Sequence, residues 1–154
     1  MVLGGLLVSC SSGDSDETAT ATATATSGTM ESSATRVDAT LADFSVAVDP
    51  ALSPAGEVRF FVKNTGATMH EFVIVKSDLD PASLPVYGEN DTPAEGHVVG
   101  DVDEDQITSE GEIEDIEPGT TKDANFTLEP GKYVLICNLP GHYKLGMYTA
   151  FTVE

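Results

Sequence analysis

The chain has 154 residues, enough for one ordinary domain with extensions. Its 26 Asp and Glu against 7 Lys and Arg give a formal net charge of -19. That excludes a nucleic-acid partner, whose phosphates would be repelled, and implies that a protein partner presents a cationic docking face. With 3 histidines and 2 cysteines, a single chain cannot build several histidine-rich metal sites. If one cysteine binds a metal, no internal disulfide is left.

Residues 1–10 read as a signal and lipobox segment. The apolar run ends in Leu7-Val8-Ser9-Cys10, which resembles a prokaryotic lipobox and makes Cys10 the lipid-modified residue. A span needs about 20 apolar residues, so the run is too short to cross a bilayer. A positive n-region normally opens a signal peptide; here no Lys or Arg precedes Arg36, so the start reads as truncated. Residues 11–36 are, apart from Met30 and Arg36, Ser, Thr, Ala, Gly and acids, with an Ala-Thr alternation from Thr18 to Thr26. Nothing there can bury a core, which predicts a disordered tether with a root-mean-square span of roughly 25–30 Å. The expected location is extracytoplasmic, lipid-anchored to a cell membrane in the periplasm or on the outer face of the cytoplasmic membrane.

Residues 37–154 carry the period-2 patterns of strands. Val37, Ala39 and Leu41 alternate in one phase and Phe44, Val46 and Val48 in the other. That predicts a bulge or bend near Ala42-Asp43 and a first strand shared by both layers of a sandwich. Val58, Phe60 and Val62 form the next strand, closed by Asn64-Thr65-Gly66. His70, Phe72 and Ile74 then share a face, so His70 looks inward at the rim of an apolar interior. From Ser77 to Glu114 the pattern fades into a long acidic insertion: twelve acids and no Lys or Arg lie between Glu89 and Glu117. It reads as solvated, with a short helix or hairpin inside it, because a structureless loop of that length is uncommon. His97, within it, reads as a surface histidine. Ala124, Phe126 and Leu128 alternate, Glu129-Pro130-Gly131-Lys132 turns, Tyr133 to Cys137 is the penultimate strand and Tyr148 to Val153 the last. Short strands, turn signals and no persuasive helix describe an all-β, Greek-key β-sandwich.

The chemistry concentrates in Cys137-Asn138-Leu139-Pro140-Gly141-His142-Tyr143-Lys144-Leu145-Gly146-Met147. Thiolate, imidazole and thioether suit copper better than magnesium or calcium, and two His, one Cys and a weak axial Met compose a blue-copper electron-transfer centre. The loop supplies three of the four ligands, and His70 is the candidate for the fourth. Each has an ordinary alternative: a buried small hydrophobe for the cysteine, core packing for the methionine, a solvated turn for either histidine.

In these residues the chain resembles the cupredoxins, the type 1 blue copper proteins, from about Val37 to Glu154. Asn64-Thr65-Gly66 precedes the first histidine, Pro140-Gly141 the second, and the Cys-x4-His-x4-Met spacing is like that of rusticyanins and auracyanins. The resemblance implies one copper with His70, Cys137 and His142 equatorial and Met147 axial. It further implies a non-enzymatic, monomeric single-electron carrier cycling Cu(II) and Cu(I) with redox protein partners. The alternative is a copper-binding or delivery protein that never cycles electrons. By the same analogy His142 exposes its ring edge inside an apolar collar of Leu139, Pro140, Gly141, Tyr143 and Leu145. One departure is Glu71, where several members carry an Asn that braces the cysteine loop.

Overall fold

A computed structural model describes residues 33–154; Cys10, the lipobox segment and most of the expected tether lie outside the described residues. Among the described residues nine strands form two facing sheets. They are β1 (Thr35–Ala42), β2 (Ser45–Asp49), β3 (Leu52–Ser53), β4 (Gly56–Asn64), β5 (His70–Lys76), β6 (Thr108–Ile116), β7 (Thr121–Leu128), β8 (Gly131–Ile136) and β9 (Tyr148–Val153). One sheet has the order β2-β1-β4-β7 and the other β3-β9-β8-β5-β6. The result is a cupredoxin-like, Greek-key β-sandwich. Alternation supplies its filling: Val37 and Leu41 of β1, Val58, Phe60 and Val62 of β4, Phe72 and Ile74 of β5, Leu135 of β8 and Phe151 of β9 are all buried in one core. Phe60 sits among three aromatic rings, with centroids 5.2 Å from Phe72, 5.4 Å from Phe151 and 6.1 Å from Phe126.

Three sequence expectations need correction. The phase break at Ala42-Asp43 is not a strand shared between layers. β1 and β2 are an antiparallel hairpin within one sheet, joined by Asp43-Phe44. Residues directly opposite on an antiparallel pair share a face. The pairings Leu41↔Val46 and Ala39↔Val48 therefore put even-numbered valines on the side of odd-numbered β1 residues. The tether boundary also moves, because β1 begins at Thr35, two residues before the expected domain start at residue 37. Arg36 already belongs to the strand, with its guanidinium 3.7 Å above the Phe61 ring centroid.

The third correction concerns the acidic insertion: much of it is solvated and it holds short helical turns, as expected, but it also contains a full strand and a buried apolar patch. Its last part is β6, a full strand that pairs antiparallel with β5. Before it, residues 77–107 pack over the outer face of the five-stranded sheet. Leu84 and Val102 join Val73 and Val75 of β5, Val134 and Ile136 of β8, and Tyr143 in a second buried cluster. The segment holds two 3-10 turns, Pro81–Ser83 and Glu104–Gln106, and a bridge between Val86 and Val102. β5 and β8 are consequently apolar on both faces, and their ends reach the site from inside a three-layered wall.

Candidate metal centre

Asn64, at the end of β4, is fully buried. Its Nδ2 donates to the carbonyls of Thr68 and Ile116, both at 2.7 Å, and its Oδ1 accepts from Gly66 N–H at 2.8 Å. One side chain thus ties down the 65–69 turn and delivers His70 to the first position of β5. On the other side of the site, Cys137 follows the last residue of β8. Its N–H donates to Met147 O at 3.0 Å, Met147 N–H donates to His142 O at 3.2 Å, and His142 N–H donates to Leu139 O at 2.8 Å. These backbone bonds fold the loop on itself. A 3-10 turn over Tyr143–Leu145 ends at Gly146, whose φ of 111° is a left-handed conformation natural to glycine.

The donor atoms of His70, Cys137 and His142 all lie within 4.8 Å of one another. His70 Nδ1 is 3.2 Å from His142 Nδ1 and 3.8 Å from Cys137 Sγ, and His142 Nδ1 is 3.3 Å from Cys137 Sγ. A point equidistant from three atoms so spaced lies about 2 Å from each, close to the roughly 2.0–2.3 Å of metal bonds to imidazole nitrogen and thiolate. The triangle therefore fits a first-row ion without rearrangement. Its two nitrogens and one sulfur, with no oxygen among them, suit copper rather than a hard cation. His70, Cys137 and Met147 have no exposed surface, and His142 is the partly exposed member. Met147 shares the core cluster of Cys137.

The electrostatics of the donors follow from their burial. Burial pushes the Cys137 thiol up to about 11, against the N–H groups of Glu71 and Leu139 that favour its thiolate. A thiol so disfavoured as an anion ionises readily only with a cation beside it. Burial, and then the neighbouring His70, lowers the pKa of His142, which keeps its imidazole neutral. Glu71 occupies the expected bracing position: its N–H points at Cys137 Sγ at 3.4 Å and its Oε1 accepts from Asn138 N–H at 2.8 Å. Burial pushes Glu71 up to about 7; the Asn138 bond opposes this, and Glu104, Glu112 and Glu114 add to it.

Some contributors carry no legible sequence signal. Asn138 is buried, with Oδ1 accepting from Val102 N–H at 2.7 Å and Nδ2 donating to Val102 O at 3.1 Å and to Glu104 Oε1 at 2.9 Å. Asp101 is fully buried and accepts from Gly141 N–H at 2.7 Å and Val98 N–H at 2.8 Å. Through these two residues the segment over the sheet grips the loop between Cys137 and His142. Asp43 lies 3.2 Å from His70 Nε2, and its carboxyl is held below the usual range, chiefly by the N–H of Ala67 and the hydroxyl of Thr68. Phe44 sets its ring edge-on to His142, with centroids 5.6 Å apart.

The expected collar is only partly present. Tyr143 is buried, its hydroxyl accepting from Leu84 N–H and donating to Pro81 O, so it belongs to the second core. Leu139 is half-buried against the main core, while Leu145 is 58% exposed and Phe44 41%. His97 stays outside the donor group. It is partly exposed, as expected, but its Nδ1 is buried without a hydrogen bond, 3.8 Å from Asp101 Oδ2.

A His-Cys-His-Met site at the rim of this sandwich defines a blue copper protein. Residues 50–154 match the family described as copper binding proteins, plastocyanin/azurin family, and the chain belongs to it. The cofactor is a single type 1 copper. Among solved structures the chain is similar to dithionite-reduced auracyanin from the photosynthetic bacterium Roseiflexus castenholzii: 26% identity, 79% of this chain and 98% of that one covered, TM-score 0.52. Auracyanin B gives 26% identity, 79% and 89% coverage, and a TM-score of 0.54. Rusticyanin from Thiobacillus ferrooxidans, at 18% identity, 79% coverage of each chain and a TM-score of 0.51, shares the fold. No curated protein matches the chain.

Proposed function

We propose that the protein is a single-electron carrier in which His70 Nδ1, Cys137 Sγ, His142 Nδ1 and the Met147 thioether would hold one copper. The observation that carries this reading is a donor triangle already at metal-bond spacing, with His70 and Cys137 buried and only His142 partly exposed. Copper, when bound, supplies one-electron redox chemistry. The fold fixes the ligands, so that neither oxidation state can rearrange them far. The Met147 thioether favours Cu(I) relative to an oxygen ligand, and Phe44 and Leu145 shed water where a partner would approach the His142 edge. A protein that hands copper on would expose its soft donors; here three of the four are buried.

In the same reading Cys10 carries the lipid, the stretch that ends before Thr35 is a tether, and the domain works monomerically outside the cytoplasm beside a membrane. Its redox partner docks through a cationic face, and no enzymatic reaction is assigned. The lipobox-like Leu7-Val8-Ser9 before Cys10 supports the anchor, and one acyl chain alone binds membranes only marginally. Mass spectrometry of protein matured from a full precursor in a prokaryotic host tests it, and an unmodified soluble N-terminus ends it. For the centre, Cu(II) loading should produce an intense visible thiolate-to-copper band that Cys137→Ala abolishes. A colourless protein at full copper occupancy would refute the assignment.

A further inference from the structure

The two-residue turn between β1 and β2 touches both histidines of the centre. Phe44 lies edge-on to His142, and Asp43 reaches His70 on the side of the ring away from the donor triangle. Asp43 Oδ1 is 3.2 Å from His70 Nε2, whereas His70 Nδ1 faces His142 Nδ1 and Cys137 Sγ. A neutral imidazole carries one N–H, and an ionised carboxylate can only accept. The contact therefore places the proton on Nε2 and leaves Nδ1 with a lone pair directed at the triangle.

The carboxylate is itself fixed. Oδ2 accepts from Ala67 N–H at 2.8 Å, and Oδ1 accepts from Thr68 Oγ1 at 2.9 Å and, more weakly, from Thr68 N–H at 3.4 Å. Space is reserved for the pair as well. A Cβ on Gly66 would overlap Asp43 Oδ1 and stand 2.9 Å from His70 Nε2, so glycine is what lets the turn close over them. His70 is fully buried, which leaves solvent no part in setting its tautomer.

We propose that Asp43 is a positioning residue of the copper centre: its carboxylate holds His70 as the Nε2–H tautomer, presents Nδ1 to the metal, and makes that ring the stronger donor to the oxidised ion. Outer partners of this kind fix ring orientation and raise ligand basicity, and their loss costs about 10–100-fold in metal affinity. Asp43 stands at the edge of the domain, so the lower end applies. The inference rests on the ligand assignment above, and its test has an arm that needs no metal.

Long-range 1H–15N correlation spectra of the chelator-treated full chain report the His70 tautomer, with His97 as an internal reference. Wild type should show Nε2–H. In Asp43→Asn, an amide that keeps its oxygen toward Ala67 N–H turns its NH2 toward Nε2, so the population should move to Nδ1–H. Cu(II) affinity should then fall about tenfold more than Cu(I) affinity, which raises the one-electron reduction potential by about 59 mV. Gly66→Ala, which crowds the pair without altering either partner, should shift tautomer and potential in the same direction. Thr68→Val, which loosens the turn but leaves the carboxylate–imidazole contact, should keep the wild-type tautomer and potential. Asp43→Asn with an unchanged tautomer and potential overturns the proposal, as does Thr68→Val reproducing the Asp43→Asn shifts, since Asp43 would then only order the turn. A wild type that shows Nε2–H but stays colourless with copper bound sinks the ligand assignment and, with it, the link from Asp43 to copper.

Discussion

Asn138→Ala tests whether the acidic segment is latched to the ligand loop. The Asn138 side chain satisfies both the N–H and the C=O of Val102, and both residues are buried. Truncation leaves two buried backbone groups without partners, at roughly 1–3 kcal/mol each. The expected loss is about 2–6 kcal/mol, a large part of the 5–15 kcal/mol typical of a domain. The bond from Asn138 Nδ2 to Glu104 Oε1 ends on an exposed side chain, so Glu104→Ala should cost under about 1 kcal/mol. Urea unfolding of both variants, with and without copper, gives the comparison, and an unchanged m-value would show that the loss is in stability alone. If Asn138→Ala costs less than 1 kcal/mol at constant m, the Val102 groups have found other partners and the latch does not exist.

Met147→Gln should retain copper and lower the reduction potential, because an oxygen donor favours Cu(II) more than a thioether does; voltammetry reads it directly. Glu71 titrates near 7 in the fold against an ordinary value of 4.5, so the stability it permits is full below about pH 4.5 and is lost as pH rises through 7. After allowance for its partial exposure that loss is about 2–3 kcal/mol, and it should vanish in Glu71→Gln; parallel urea-stability profiles of the two chelator-treated proteins from pH 4.5 to 8 would rule it out. Leu145→Lys should slow second-order electron transfer with a basic partner at every ionic strength, whereas neutralising Asp103, Glu104 and Asp105 should slow it mainly at low salt. Asp101 is excluded from that acidic set because it is buried, and a high-salt rate untouched by Leu145→Lys would reject His142 as the exit.

How much was legible in the sequence follows from the range over which each signal acts. Cys137, His142 and Met147 share one loop, so their chemistry could be read from spacing alone. His70 lies far from them, yet its strand phase with Phe72 and Ile74 showed that it faced inward. Asp43, Asp101 and Asn138 act on residues 27 to 40 positions away, and nothing local distinguishes them from turn or surface polars. β6 escaped for a different reason. It is an edge strand whose buried residues are Ile113 and Ile116, so it shows little apolar alternation and is held by its backbone ladder to β5. Gly111 within it reads as a loop breaker, but its φ of 141° and the Phe126 ring where a Cβ would stand make glycine necessary in that strand. The packed part of the acidic insertion was missed because Leu84 and Val102 are isolated among acids and gain meaning only against the outer face of β5 and β8.

The wide separation of the parts that meet at His70 also sets when the centre can come into being. Asp43 arrives with the first hairpin and His70 with β5, but Cys137 lacks the carbonyl of Met147 until the loop before β9 has closed. A chain still emerging can offer copper a lone imidazole or a lone thiol, neither of which discriminates among soft ions. Only the finished sandwich presents the triangle. Metal choice is therefore deferred to maturation, and the copper in the centre is whatever the compartment of final folding supplies.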